Sequence, residues 1–341
     1  MNQNVPSVTV LIAARPGQAE VKAVDASRAL DYPADKLEII VARGKQPSAQ
    51  RNAALKAARG ELTYFLDDDS LPEAANLRRA IAHFSRPEVK MVGGPNVCPP
   101  AAPELEQVFA LVLGSWLALG PSRARYTPVG QVRETSEKEL ILCNLVARRD
   151  AMLELGGFNE ALYPNEENAL MDELQKRGGK LVYDPAFVVH RRPRPNLAAF
   201  ARMLMTYGRG RAEQFRLHPT PGSALNFVPP LFLVYLVSLV AVPWVGTILL
   251  VPLGVYGLAV LTQAAVLRVS SPKSQVPGSH STVQSPPTST GQQVFRRVAV
   301  IPLICLTHVL YGAGFWRGLF TRLGTGAQPP PPAVVLETVA R

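Results

Sequence analysis

Three cysteines in 341 residues, Cys98, Cys143 and Cys305, are too few for a disulfide framework, and their spacing matches no metal-ligand set. Nothing marks any of them as a thiol nucleophile. No charged segment followed by a short apolar run opens the chain, so a cleavable signal is not expected. Lys and Arg outnumber Asp and Glu by 36 to 26, a net charge of +10. No recognition-helix or aromatic RNA-binding pattern accompanies that excess, so nucleic acid is not an expected partner. The most complete absence is of charge over one stretch: residues 227–267 contain none. At about 20 residues per span, this run is long enough for two membrane helices, broken near Pro243-Trp244-Val245-Gly246. A buried pair of globular helices would show a polar face, and this run has none.

A third apolar segment, residues 298–318, carries His308 and is expected either to span or to re-enter the membrane. The stretch 103–119 reads equally as an interfacial helix or as a buried domain helix. Between the hairpin at 226–268 and the third segment, residues 269–297 are rich in Ser, Pro, Thr and Gln and read as a disordered loop. Residues 319–341 read as a proline-rich tail. Arg268, Lys273, Arg296 and Arg297 flank the loop, and positive charge favours the cytoplasmic side. With two spans before the loop, the N-terminal region is expected on that side as well. Anionic lipid is the nearer partner for the basic excess beside these segments.

In the N-terminal region, Leu62-Thr63-Tyr64-Phe65-Leu66 runs into Asp67-Asp68-Asp69-Ser70. A strand ending in three carboxylates places fixed negative charge on the carboxyl edge of a sheet, where α/β folds bind their ligands. Such hard oxygen donors suit Mg²⁺ or Mn²⁺, with substrate phosphates and water completing the sphere. The competing reading is an acidic turn that caps a helix starting near Pro72-Glu73. Upstream, a strand at 7–14, a helix to about Ala29, a strand at 37–42 and a Ser-capped helix from Pro47 to Gly60 alternate as βαβ units on a parallel sheet.

Arg51-Asn52 at the head of that helix, Gly60-Glu61 after it, and the Phe65-Leu66-Asp67-Asp68-Asp69 strand end together resemble the inverting glycosyltransferases of family 2. Gly156-Gly157-Phe158-Asn159-Glu160, followed by Tyr163-Pro164-Asn165-Glu166-Glu167-Asn168, resembles their acceptor segment, in which a Gly-Gly-Phe loop precedes an acidic pair that opens a helix. The resemblance implies a GT-A fold, α/β and Rossmann-like, with a mixed or parallel sheet and flanking helices, over residues 1–225. It implies a nucleotide-sugar donor held by Ala13, Arg15, Arg51, Asn52, Asp67 and Asp68, and a divalent cation at Asp69 and His190. Gly157 and Phe158 would shape the acceptor loop. Glu167 would be the general base, kept ionised by the helix dipole, with Glu166 as its rival for the role. Seven arginines against one acid, Glu213, lie between His190 and Arg216; of these Arg191, Arg192, Arg209 and Arg211 are expected to face a diphosphate or lipid headgroup.

Two stretches depart from the family. Ala13-Ala14-Arg15-Pro16 and Val41-Ala42-Arg43-Gly44-Lys45 stand where members commonly carry a polar turn and a base-holding acid. The Gln-x-x-Arg-Trp signature of processive synthases is absent, which favours a single transfer per encounter. The membrane hairpin, Tyr207-Gly208-Arg209-Gly210-Arg211 and Tyr311-Gly312-Ala313-Gly314-Phe315 are similar to succinoglycan-type exopolysaccharide transferases. That similarity implies a lipid-linked saccharide acceptor carried on polyprenyl diphosphate, at the cytoplasmic (inner) membrane. A membrane-anchored scaffold with lost activity and a nucleotidyltransferase on a similar fold are the rival readings.

Overall fold

The computed structural model describes residues 5–162, 165–217, 219, 221–267, 289–322 and 333–340. It opens with β1 (Val8–Ala14), α1 (Lys22–Arg28), β2 (Leu37–Arg43), α2 (Pro47–Ala57) and β3 (Leu62–Asp67). These strands are apolar runs buried along nearly their whole length, as parallel strands covered by helices on both faces must be. The cap of α2 is Gln46 rather than Ser48: the Gln46 side chain accepts from the Ala49 N–H, and Pro47 fills the first turn, where no amide is needed. β4 (Leu71–Pro72) follows the triple Asp, and α3 (Asn76–His83) begins only after it, so the acidic run does not cap a helix at Pro72-Glu73.

The chain continues through β5 (Val89–Gly93), β6 (Asn96–Val97), α4 (Glu104–Leu113), α5 (Trp116–Leu119), β7 (Arg133–Thr135), β8 (Asn144–Arg148), α6 (Arg149–Glu154), α7 (Glu166–Lys176), β9 (Lys180–Tyr183) and β10 (Val189–His190). After these come α8 (Leu197–Leu217), α9 (Val228–Ser238), α10 (Val242–Val245), α11 (Val251–Val266), α12 (Thr290–Phe320) and β11 (Val335–Val339). Eight strands form one sheet in the order β11-β2-β1-β3-β8-β5-β9-β7, and β4-β10-β6 form a small second sheet. β2, β1 and β3 run parallel, whereas β8 lies antiparallel between β3 and β5. The sheet is therefore mixed. Its two faces bury separate cores: Val10, Ile12, Val41 and Tyr64 on one, Leu11, Ile40, Phe65 and Met171 on the other.

Among the described residues, three helical segments are long and apolar enough to cross a membrane, Ser223–Val245, Thr247–Val266 and Thr290–Phe320. Glu104–Leu113 with Trp116–Arg125, bent by 61°, would make a fourth if the pair counts as one. Gly246, at φ +99°, makes the turn between the first two, a backbone angle that favours glycine. Two expectations for the C-terminal part are corrected. Residues 290–297 are not loop but the first turns of α12, which starts at a capping box between Ser289 and Gln292. Residues 335–339 are not tail but β11, paired antiparallel with β2. The remainder of the expected loop, 269–288, and residues 328–332 lie outside the described residues.

α8 and α12 pack at unusually close range. A Cβ on Gly208 would fall 2.0 Å from the Tyr311 carbonyl oxygen, one on Gly314 2.1 Å from that of Met205, and one on Gly318 2.3 Å from that of Arg209. Only glycine permits this approach, the device by which apolar helices gain contact without side-chain interdigitation. Arg296, near the start of α12, also forks onto Glu104 of α4 at 2.6 and 2.9 Å. The apolar helices and the α/β domain are thus joined by both backbone contact and charge.

Candidate active site

The carboxyl ends of β1 and β3 meet in register, Ala13 opposite Asp67, so the triple Asp lies beside the β1 turn. Arg191 is shared by two of the three carboxylates, and Gln18 takes the third. Asp67 accepts from Arg51 Nη2 at 3.0 Å and pairs with Arg191 Nη1 at 3.1 Å. Asp68 accepts from Gln18 Nε2 at 2.7 Å, and Asp69 from Arg191 Nε at 2.5 Å. Burial alone would raise the Asp67 carboxyl, but the cations of Arg191 and Arg51 outweigh it and hold it below the usual carboxylate range. Burial likewise opposes the Arg191 charge, and Asp67, with Asp69 behind it, more than offsets that and lifts its pKa further above the ordinary arginine value. Arg15 lies exposed at the same edge, where its amide donates to Gln18 Oε1 at 3.3 Å.

His190 sits below this cluster on the small sheet, with β10 paired to Leu71 of β4 and Val97 of β6. It is buried; Nε2 lies 3.2 Å from Glu73 Oε1, and Nδ1 has no hydrogen-bond partner. A carboxylate on one imidazole nitrogen with the other left open is the pattern that orients a metal-ligating histidine. Among the described residues no group of three or more His, Cys, Asp or Glu side chains forms a ready-made metal cage. Asp69 is half-exposed and His190 Nδ1 is unpartnered though buried; a cation held by these two would take most of its oxygens from a diphosphate.

On the other side of Arg51 lie the Gly-Gly-Phe loop and the acidic pair. Arg51 Nη1 donates to Glu166 Oε1 at 3.1 Å, so one guanidinium bridges the acidic pair and the triple Asp. Burial, and then the adjacent Glu167, push the Glu166 carboxyl up to about 7 against the pull of Arg51. Asn52 is committed to the Gly-Gly-Phe loop: it donates to the Phe158 carbonyl at 2.8 Å and to Glu160 Oε1 at 2.9 Å, and accepts from the Phe158 N–H at 2.8 Å. Gly157, at φ +81°, passes so close that a Cβ would stand 2.5 Å from Asn52 Oδ1. Phe158 is buried edge-on against Phe65, 5.4 Å between centroids. Tyr163 and Pro164 lie outside the described residues.

Glu167 faces the other way. It lines a cavity of about 380 Å³ whose walls include Lys138, Arg125, Asn168 and Arg211 on the domain side and Val228, Pro229, His308 and Tyr311 on the apolar helices. Arg125 is fixed there by its bonds to the Lys138 carbonyl at 2.9 Å and to Asn168 Oδ1 at 2.6 Å.

The family model described as "Glycosyltransferase like family 2" matches residues 1–206. The chain belongs to that family. Among curated relatives of this glycosyltransferase family are two pre-mycofactocin glycosyltransferases of Mycobacterium tuberculosis, from strains CDC 1551 / Oshkosh and ATCC 25618 / H37Rv. Each is 29% identical over 175 residues. The match covers 51% of this chain and 36% of theirs, so the chain spans about a third of the length of those relatives. In three dimensions it is similar to a mannosyltransferase from Pyrobaculum calidifontis solved with GDP-Man and Mn2+. That likeness has a TM-score of 0.56 at 18% identity and covers 92% of this chain and 87% of that one. It shows the GT-A fold.

Within this site the four arginines singled out from sequence part company. Arg191 neutralises Asp67 and Asp69, while Arg192 is bound to the buried Glu106 of α4. Arg209 pairs with Glu213 at 3.4 Å. Of the four, Arg211 alone lines the Glu167 cavity; burial, reinforced by the Arg125 charge, lowers its pKa from the ordinary value. Sequence reasoning missed Gln18, Glu73, Arg125 and Lys138. No local pattern marks them; Gln18, Glu73 and Arg125 acquire their places through contacts far along the chain.

Proposed function

We propose that the protein is an inverting glycosyltransferase that moves one sugar from a nucleotide-sugar donor to an acceptor presented at the membrane. The acceptor we favour is a saccharide linked to polyprenyl diphosphate, on the route to a cell-surface polysaccharide, at the cytoplasmic face of the inner membrane. The observation that carries this reading is the position of Glu167 in a cavity with one cationic wall and one apolar wall. An acceptor with an anionic head on an apolar chain matches both. Glu167 takes the proton of the acceptor hydroxyl as its oxygen bonds to the anomeric carbon, and the bond from that carbon to the donor diphosphate breaks with inversion.

Glu166, buried against Arg51, serves a different purpose in this scheme. It holds the guanidinium across to Asp67 and so fixes the distance between the acceptor helix and the donor edge. Ala13, Arg15, Asp67 and Asp68 form the donor edge. Asp69 and His190 would hold Mg²⁺ or Mn²⁺, and what such a cation supplies is positive charge for the leaving diphosphate.

The test is to incubate membranes containing the full chain with a panel of nucleotide-sugars and identify what is released. Sugar-dependent release of a nucleoside diphosphate supports the proposal. Pyrophosphate would identify a nucleotidyltransferase instead, and no nucleotide release from any donor would leave a scaffold. Transfer that proceeds equally well to a soluble acceptor without a lipid would remove the lipid-linked part of the reading.

A further inference from the structure

The last strand of the chain reaches the donor side of the sheet. β11 forms the outer edge next to β2, with Glu337 opposite Val41 and Val335 opposite Arg43. Glu337 Oε1 accepts from Arg43 Nε at 2.7 Å. Arg43 Nη1 in turn donates to the Gln18 carbonyl at 2.6 Å, across the end of β1. Gln18 is the centre of the β1 turn: its Nε2 donates to Asp68 Oδ2 at 2.7 Å and to the Glu20 carbonyl at 3.0 Å, and its Oε1 accepts from the Arg15 amide at 3.3 Å. A continuous chain of polar contacts therefore runs from Glu337 through Arg43 and Gln18 to the middle carboxylate of the triple Asp. A second tie lies alongside, where Arg28 of α1 donates to the Ala340 carbonyl at 3.1 Å.

We infer that β11 is a positioning element for the donor: Glu337 orients Arg43, and Arg43 holds the Arg15–Glu20 turn and, through Gln18, Asp68 in the geometry that receives the nucleotide. Arg43 stands at the end of β2 as a cation that needs a partner, and among the described residues Glu337 is the acid that pairs with it. The turn itself has Gly17 at φ +71° and an exposed Arg15, so it relies on these side-chain bonds to keep one shape. Because the strand follows the apolar helices in sequence, the donor side is closed by a segment that the matched family region, residues 1–206, does not contain. The inference rests on the reading that the nucleotide binds at the triple-Asp edge.

The experiment uses the full chain in detergent and titrates GDP and UDP, each with Mn²⁺, into the wild type, Glu337→Gln, Glu337→Arg, Arg43→Glu and the exchanged pair Arg43→Glu/Glu337→Arg. Glu337→Gln should weaken binding of the preferred nucleotide roughly three- to fivefold, the scale of losing one half-exposed ion pair, and the charge-reversed single variants should weaken it further. The exchanged pair restores the ion pair to β11 but sets a carboxylate, which cannot donate, against the Gln18 carbonyl, so it should recover the melting temperature and not the affinity. In turnover assays the donor KM should rise with kcat and acceptor KM within about twofold. Unchanged affinity in Glu337→Arg overturns the inference. So does recovery of affinity along with melting temperature in the exchanged pair, since the bond from residue 43 to Gln18 would then be idle and β11 a structural strand only. If the wild type itself binds neither nucleotide, it is the donor-site reading that fails, and the two failures are distinct.

Discussion

Replacing Glu166 by Gln asks whether the two members of the acidic pair have separate tasks. Glu166 is 2% exposed, and burial together with Glu167 raises its carboxyl from an ordinary value of 4.5 to about 7. In the unfolded chain the same group titrates near its ordinary value. Between those two pH values the native state therefore holds more proton than the unfolded state, and stability falls as pH rises through the window. The full loss corresponds to about 3 kcal/mol and is complete only above pH 7. Gln has no proton to release, so the variant does not suffer it. The variant does lose the contact to Arg51, but that guanidinium keeps Asp67. Melting temperatures of wild type and Glu166→Gln, measured in one detergent from pH 4.5 to 8, supply the test. The difference, variant minus wild type, should grow in the variant's favour by roughly 5 °C across the window. A difference that stays flat, or shrinks, would mean that Arg51 keeps Glu166 ionised throughout, and the assignment of the raised carboxyl would be wrong.

Glu167→Gln should lower turnover by roughly 10²-fold or more with little change in donor binding, as loss of a general base requires; a severe loss in Glu166→Gln with near-normal Glu167→Gln would move the base one residue earlier. Asp69→Ala should abolish transfer in a protein that still folds, and near-normal turnover at saturating Mn²⁺ would remove Asp69 from the metal site. Gly314→Val places side-chain atoms where a Cβ already falls 2.1 Å from the Met205 carbonyl oxygen, so it should cost about 1–3 kcal/mol or more and lower the melting temperature; an unchanged melting temperature would mean that α8 and α12 are not in backbone contact.

The parts of the site that were legible in the sequence are those encoded over a few residues. An apolar strand ending in Asp67-Asp68-Asp69 and a Gly-Gly-Phe turn ahead of Glu166-Glu167 each announce themselves locally, and the structure brings both to one guanidinium, Arg51. The uncharged run 227–267 was equally plain, down to its break at Gly246. Non-local pairing was not. Val335 to Val339 have the composition of a strand, but nothing within reach in sequence says that β2, some 290 residues earlier, is its partner. The antiparallel insertion of β8 between β3 and β5 is hidden for the same reason. The early start of α12 did carry a signal, Ser289 followed three residues later by Gln292, which the surrounding Ser, Thr and Gln obscured. Asn52 reads as a donor-side residue until its amide is seen bonded in both directions to Phe158.

The glycine contacts between α8 and α12 have a mechanical consequence. Side chains interposed between helices can rotate and absorb small shifts, but here carbonyl oxygens stand where a Cβ would be, and nothing compliant lies between them. Arg211 on α8 and Tyr311 on α12 face the same cavity as Glu167, so a tilt of α12 would carry the cavity wall with it. The apolar part of α12, residues 298–318, is about 32 Å long, close to a typical hydrocarbon thickness, so a thinner or thicker bilayer would change its tilt. We therefore expect the turnover rate to depend on acyl-chain length when the protein is reconstituted into vesicles of short- and long-chain lipid. Identical rates in both would show that slack exists somewhere between the bilayer and Glu167.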